Sequence, residues 1–228
     1  MEKKEFLKPN IEGDFQFRAG GISSKLSGVT SKVFWLIKLI LGISLLPFVY
    51  SASIAFLNEL GLIEKSLQNA FWSGIITILI IYLFIWEPMI IYIKGQKLLE
   101  VIFNFFKPLV RIAPYLLPVY TIIVFILYEL LSRVVKSRWL IEYSIFVFGF
   151  SIALHLIFSA KSVRARKSDL LKANYIFGFS LIYIINLTLL AFCLNLIFKE
   201  FSLVNFFNSS FSAAKNIFYT VFKQLFLR

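Results

Sequence analysis

The sequence predicts an all-α polytopic membrane protein, a bundle of about five transmembrane helices with an amphipathic interfacial helix at each end. Three observations predict it. Five apolar runs are each about as long as the roughly 20 residues needed to cross a bilayer. The chain is 59% hydrophobic and 18% aromatic, with 27 Phe and a mean hydropathy of +0.82, whereas a soluble domain averages about 45–50% apolar. The net charge of +12 resides in short segments between the apolar runs. That is how loops facing anionic headgroups are charged, and it argues against nucleic acid as a partner.

The chain divides into a polar segment 1–32, a membrane domain 33–198 and a tail 199–228. In the first, Gly13, Gly20, Gly21 and Gly28 predict breaks in any long helix. Ile22, Leu26, Val29 and Val33 nevertheless recur at helical spacing beside Lys25 and Lys32, which predicts a short interfacial helix. A disordered basic leader is the alternative. The first span, Val33–Leu57, is too long and starts too late for a secretory signal. Ser51-Ala52-Ser53 resembles a small-residue cleavage site, but the segment reads as a retained helix. Lys38 lies near its start, and the polar connection Asn58–Ala70 carries Glu59, Glu64 and Lys65.

The second span, Phe71–Ile93, holds Trp86-Glu87-Pro88 in its latter half. A charged side chain deep in a span costs about 2.5–3.5 kcal/mol on insertion scales, and proline removes a helical hydrogen bond. A mere anchor needs neither, so the pattern predicts a kink at Pro88 and a role for Glu87. Leu98–Phe106 is too short to cross and either prolongs this helix or forms an interfacial elbow. The third span, residues 112–131, opens with Pro114, a plausible initiator, and Pro118, a candidate kink. Glu129 and Arg133 are spaced as a helix-end pair.

The fourth and fifth spans are 139–160 and 174–198, with a basic loop between them. Phe148-Gly149-Phe150-Ser151 recurs as Phe177-Gly178-Phe179-Ser180. Close helix contact at small residues explains this more simply than duplication. Asn186 and Asn195 read as interhelical hydrogen-bonding residues. In the tail, Phe211, Ala214, Phe218, Val221, Phe222 and Leu225 share one helical face, opposite Ser212, Lys215, Asn216, Thr220 and Lys223. Such a helix lies in a headgroup layer or docks on a partner.

With five spans and a cytoplasmic N-terminus, fifteen Lys and Arg fall inside and only Lys65, Arg133, Lys136 and Arg138 in the outer loops. The positive-inside bias therefore orients the chain, and it puts the tail outside. One cysteine, Cys193, and one histidine, His155, exclude an intramolecular disulfide and any multi-His or multi-Cys metal centre. No H-E-x-x-H motif or phosphate-cradling glycine loop is present. Gly149-Phe150-Ser151 with His155 one turn later is a weak serine-nucleophile pattern. The sequence thus predicts no catalytic, cofactor-binding or metal residues.

What remains is a polar layer of Lys38, Glu87, His155 and Ser180, each roughly 8–11 Å inside the cytoplasmic end of its span. It is either a site for an ion, proton or headgroup, or interhelical glue. Lys38 and Glu87 at matched depth predict an ion pair, with the Phe84 carbonyl as a second acceptor for the ammonium; a protonated Glu87 is the alternative. Two functions follow. One is a non-enzymatic subunit or scaffold of a larger membrane assembly, meeting anionic lipid and either protein partners or its own copies. The other is a small permease or channel for an ion, metabolite or lipid, built around Glu87.

Overall fold

The computed structural model describes residues 11–106, 113–165 and 175–226. It is 86% helical, with no strand among the described residues. Four segments are long and apolar enough to cross a membrane: Leu36–Leu60, Lys65–Ile85, Arg138–Arg164 and Tyr175–Ile197. A shorter apolar helix, Val119–Leu131, stands where the third span was expected. This is the fold of a polytopic membrane bundle. Of the fifteen basic residues assigned to the inner side, Lys3, Lys4, Lys8, Lys107, Arg111, Arg166, Lys167 and Lys172 lie outside the described residues, as does Asn174.

Helix α1 runs unbroken over Ile11–Leu60, through all four glycines expected to interrupt it. Each glycine costs about 1 kcal/mol relative to alanine, which raises the free energy of a helix without ending it. Pro47 also lies inside α1. The second apolar run behaves differently. Helix α2, Lys65–Ile80, passes into a π-helical turn at Ile81–Ile85, closed by Trp86 N–H donating to the Ile81 carbonyl at 2.9 Å. Trp86 is then extended (φ −164°, ψ 149°), and Pro88 caps a separate helix α3, Met89–Ile102. The expected kink at Pro88 is therefore a termination, and the elbow falls at 86–88 rather than beyond Ile93. Proline disfavours helical conformation in the residue before it and donates no hydrogen bond.

Residues 113–116 are helical, the helix breaks at Leu117-Pro118, and α4 follows over Val119–Leu131. Glu129 and Arg133 form no ion pair among the described residues, because α4 ends at Leu131. Helices α5, Arg138–Ala165, and α6, Tyr175–Ile197, complete the bundle.

Contacts at both ends establish the directions. Glu64 pairs with Arg138, and Glu87 pairs with Lys161, so α2 and α5 run parallel. Gly42 abuts Phe177 and Ser53 bonds Tyr183 at 2.8 Å, so α1 and α6 also run parallel. Helix α4 is antiparallel to α5, since Tyr115 meets His155 and Thr121 meets Ser151. The four long helices and the shorter α4 therefore alternate in direction along the chain. The start of the α1 span, the end of α5 and the start of α6 share one end of the bundle, here the Leu36 end. Leu60, Lys65, Arg138 and Ile197 mark the other, the Leu60 end.

The two parallel pairs touch at their glycines. A Cβ on Gly74 would stand 2.0 Å from the Phe146 carbonyl oxygen, and one on Gly149 would stand 2.1 Å from that of Phe71. A Cβ on Gly42 would be 2.9 Å from the Phe177 nitrogen, next to buried Gly178. The recurring Phe-Gly-Phe-Ser thus marks one crossing in each pair, the close approach that small residues permit. Around the first lies a core of Phe56, Phe71, Phe148, Leu190 and Leu194.

Helix α7, Leu203–Phe226, begins at the Leu60 end and turns back along α1. Phe201 packs on Phe56 with ring centroids 5.8 Å apart, and Phe218 packs on Phe48 at 5.7 Å. Its start is held by three caps. Ser202 N–H donates to buried Glu59 (2.9 Å), Leu203 N–H to Asn195 Oδ1 (2.9 Å) and Asn205 N–H to Ser202 Oγ (3.2 Å). Asn195 therefore hydrogen-bonds between helices as expected, and does so by capping the start of α7. The tail is amphipathic as expected, and it runs back along α1 toward the Leu36 end rather than lying across the Leu60 end.

The glycine contacts generate a stability prediction. Gly74→Ala and Gly149→Ala each force backbone apart and should cost on the order of 1–3 kcal/mol in detergent unfolding. Gly61→Ala, whose nearest neighbours stand 3.2 Å away, should cost less. Equal losses at all three positions would refute the close crossing.

Candidate functional site

A helix break inside a bundle leaves carbonyls without amide donors. Pro118 has no N–H to return to Pro114, and the next amides belong to the first turn of α4. The carbonyls of Pro114, Tyr115 and Leu116 are therefore open to other partners, and side chains from three helices converge on them. His155 Nε2 (α5) lies 3.1 Å from the Tyr115 oxygen, and Ser159 Oγ donates to the same oxygen at 3.3 Å. Asn186 Nδ2 (α6) donates to the Leu116 carbonyl at 2.9 Å, and Gln96 Nε2 (α3) to that of Pro114 at 3.5 Å. A carbonyl can only accept, so the His155 contact places a proton on Nε2.

Further hydroxyls extend this collar. Gln96 Nε2 donates to Tyr92 Oη at 2.7 Å, and Tyr92 Oη meets Ser159 Oγ at 3.0 Å. One turn into α4, Thr121 and Ser151 bond each other at 2.8 Å. Tyr92, Thr121, Ser151, His155, Ser159 and Asn186 are all buried. The collar contains no carboxylate, and among the described residues no group of His, Cys, Asp and Glu is arranged to hold a metal ion. Its chemistry is that of donors answering acceptors. One acceptor is left over, since Asn186 Oδ1 is buried with no hydrogen-bond partner among the described residues.

The four residues of the predicted polar layer fall in different places. His155 belongs to the collar, and Ser180 is buried on α6. Lys38 is half-buried on α1 and forms no ion pair among the described residues. Glu87 is exposed where the second span ends, and it pairs with Lys161 on α5 rather than with Lys38. The reason is the termination at Ile85. A continuous helix would have carried Glu87 into the span, whereas the break delivers it to the Leu36 end, beside the last turns of α5. No described contact joins Lys38 or Ser180 to the other two. Ser151 does not pair with His155 as the G-x-S pattern suggested, because Ser151 bonds Thr121 and the Phe148 carbonyl while His155 turns to Tyr115 and Ser159.

Sequence reasoning missed Tyr92, Gln96, Thr121 and Ser159. A signal was present. A mid-span proline announces carbonyls that need donors, and small hydroxyl residues on apolar helices are where donors come from.

At the Leu60 end, Arg138 joins Glu64 on the α1–α2 connection to Glu142 on its own helix. The Arg138 guanidinium, with help from the Ser66 hydroxyl, holds the Glu64 carboxyl below its ordinary pKa. Comparison with protein-family models, with curated proteins and with solved structures finds no match.

Two measurements check the site. Asn186→Leu leaves the Leu116 carbonyl without its side-chain donor and should destabilise the bundle by about 1–3 kcal/mol. With Pro118→Ala the helix can close over the break, so in that background Asn186→Leu should cost less. Strict additivity of the two changes would show that the break and Asn186 are not coupled. Separately, Glu87→Gln should be non-additive with Lys161→Met, by an amount that shrinks in high salt, and additive with Lys38→Met. Coupling to Lys38 instead would restore the pair expected from sequence.

Proposed function

We propose that this chain is a non-enzymatic subunit or scaffold of a membrane assembly, with its N-terminus and the loop after α5 on the cytoplasmic side. The observation that carries the reading is the use to which the buried polar side chains are put. His155, Ser159, Gln96 and Asn186 are engaged with backbone carbonyls at the Pro118 break, so they lock three helices around a fourth. Locking of this kind favours a fixed shape over alternating states. The capping of α7 by Glu59 and Asn195 favours it too, since it holds an amphipathic helix in one direction against α1. The orientation rests on the bias of basic residues toward the N-terminal segment and the loop after α5. The described residues nearest them in the spans, Leu36 and Arg164, share one end of the bundle.

A second reading, a small permease or channel, has its own support. Two chain breaks, at 86–88 and 117–118, lie on elements packed together, with Gly95 of α3 against Val119 and Tyr120 of α4. Discontinuous helices with open carbonyls form ligand sites in transporters, and Asn186 Oδ1 is a spare buried acceptor beside one of the breaks.

Mild-detergent purification from native membranes separates the two. A subunit should arrive with other chains in fixed stoichiometry. Arrival alone or as copies of itself, together with solute flux after reconstitution that Pro118→Ala abolishes, would sink the subunit reading in favour of the permease.

A further inference from the structure

We propose that the polar flank of α7 is a docking surface for a membrane-crossing helix of another protein that carries carboxylates. The proposal rests on the subunit reading and names the partner's chemistry. It begins with depth. Phe218 packs on Phe48, which lies 12 residues from the end of α1 at Leu60. At about 1.5 Å per residue, roughly 22 Å of α7 from Leu203 to Phe218 descends about 18 Å of the α1 span. A helix lying in the headgroup plane would touch α1 at one level only. Helix α7 instead follows α1 to about the middle of a hydrocarbon layer roughly 30 Å thick.

Its three flanks meet different surroundings. Phe206, Ser210 and Ala214 face the bundle, and Phe206 and Ala214 are wholly buried. Phe207, Phe211, Phe222 and Leu225 are exposed and apolar, as a flank against lipid should be. The remaining flank, Ser212, Lys215, Asn216, Thr220 and Lys223, is exposed and carries the polar groups, with exposed Tyr219 between the two lysines. Lipid cannot answer hydroxyl, amide and ammonium groups there.

Snorkelling does not remove the problem. On a helix, long side chains lean toward the N-terminus, which for α7 is the Leu60 end. Lys215 starts about 14 Å below that end on the slope above, and a reach of about 6 Å still leaves its ammonium inside the apolar layer. On the same slope Lys223 starts about 24 Å down, near the far boundary of a layer roughly 30 Å thick, so Lys215 is the lysine stranded at depth.

The occupant follows from charge. Helix α7 contains no Asp or Glu, and neither Lys215 nor Lys223 forms an ion pair among the described residues. A second copy of α7 would set lysine against lysine. A helix with two carboxylates about 12 Å apart, matching the eight-residue spacing of the lysines, would satisfy both, while its Ser, Thr or Asn side chains meet Ser212, Asn216 and Thr220.

The test uses the full chain in phosphatidylcholine vesicles at about pH 8, where a carboxylate beside a lysine ammonium is held ionised, with a photo-crosslinking residue at Asn216 or at Phe207. The probes are synthetic Leu/Ala transmembrane peptides bearing Glu, Gln or Lys at two positions eight residues apart. From Asn216 the Glu peptide should cross-link at least about 5-fold more than the Gln peptide, a difference worth about 1 kcal/mol. From Phe207 the yields should be equal. The double variant Lys215→Glu/Lys223→Glu should switch preference to the Lys peptide. Equal yields of all three peptides at Asn216 would overturn the proposal. So would cross-linked pairs of this chain as the main product, which would make a second copy the occupant. Loss of peptide cross-linking with gain of binding to phosphatidylglycerol vesicles would overturn it in favour of a headgroup surface. A native partner that stays bound to Lys215→Gln/Lys223→Gln would leave the subunit reading standing and remove this flank from it.

Discussion

Inside a bilayer every backbone carbonyl needs a donor, because no water is there to supply one. Pro118 withholds one donor outright and ends the helix that would have supplied the rest. The consequences spread through the molecule. Helix α3 lies against α4 and α5, where Gln96 and Tyr92 can reach the break. Helix α5 turns His155 and Ser159 inward, and α6 does the same with Asn186. A single backbone defect thus dictates which faces of three helices must meet. Between two apolar helices such specificity is scarce, since lipid tails are as good a surrounding for leucine as another leucine is.

The glycine crossings answer the same scarcity by another route. Where no polar group must be matched, association depends on how closely backbones approach, and Gly74 and Gly149 let α2 and α5 approach to the point where no Cβ fits. Glycine contact and the polar collar divide the bundle between them. The first pair of parallel helices joins along the α2–α5 seam, and the collar ties α3, α4 and α6 onto the other side of α5. Helix α5 therefore stands at the centre of the fold.

Much of this was legible in the sequence. The all-α membrane class, the five apolar elements, the amphipathic tail and the meaning of Phe-Gly-Phe-Ser all follow from hydropathy, periodicity and residue size, which are local properties. The misreadings at the second span share a cause. At Trp86-Glu87-Pro88 the choice between a kink and a termination depends on whether neighbouring helices take over the released backbone groups, and a hydropathy pattern does not encode its neighbours. Glu87 was placed in the span because the run of apolar residues continues past it, yet those later residues belong to α3, which packs elsewhere. The four glycines of the N-terminal segment were overweighted for the opposite reason. A helix tolerates glycines at about 1 kcal/mol each, and in α1 even Pro47 does not end it.

Glu59 shows why the tail's direction was harder to see than its amphipathicity. In the sequence it is one acid in a short polar connection. In the fold it is buried at the end of α1, and its carboxylate accepts the Ser202 amide at the start of α7, 143 residues away. A carboxylate at a helix N-terminus is favoured by the local dipole, and an amide left open there would be costly. With Asn195 at the next amide, the first turn of α7 is fixed relative to both α1 and α6. Amphipathic periodicity describes a helix about its own axis and says nothing about where that axis points. The direction comes from the two residues that hold its start, and those are recognisable only once α1 and α6 are seen to end side by side.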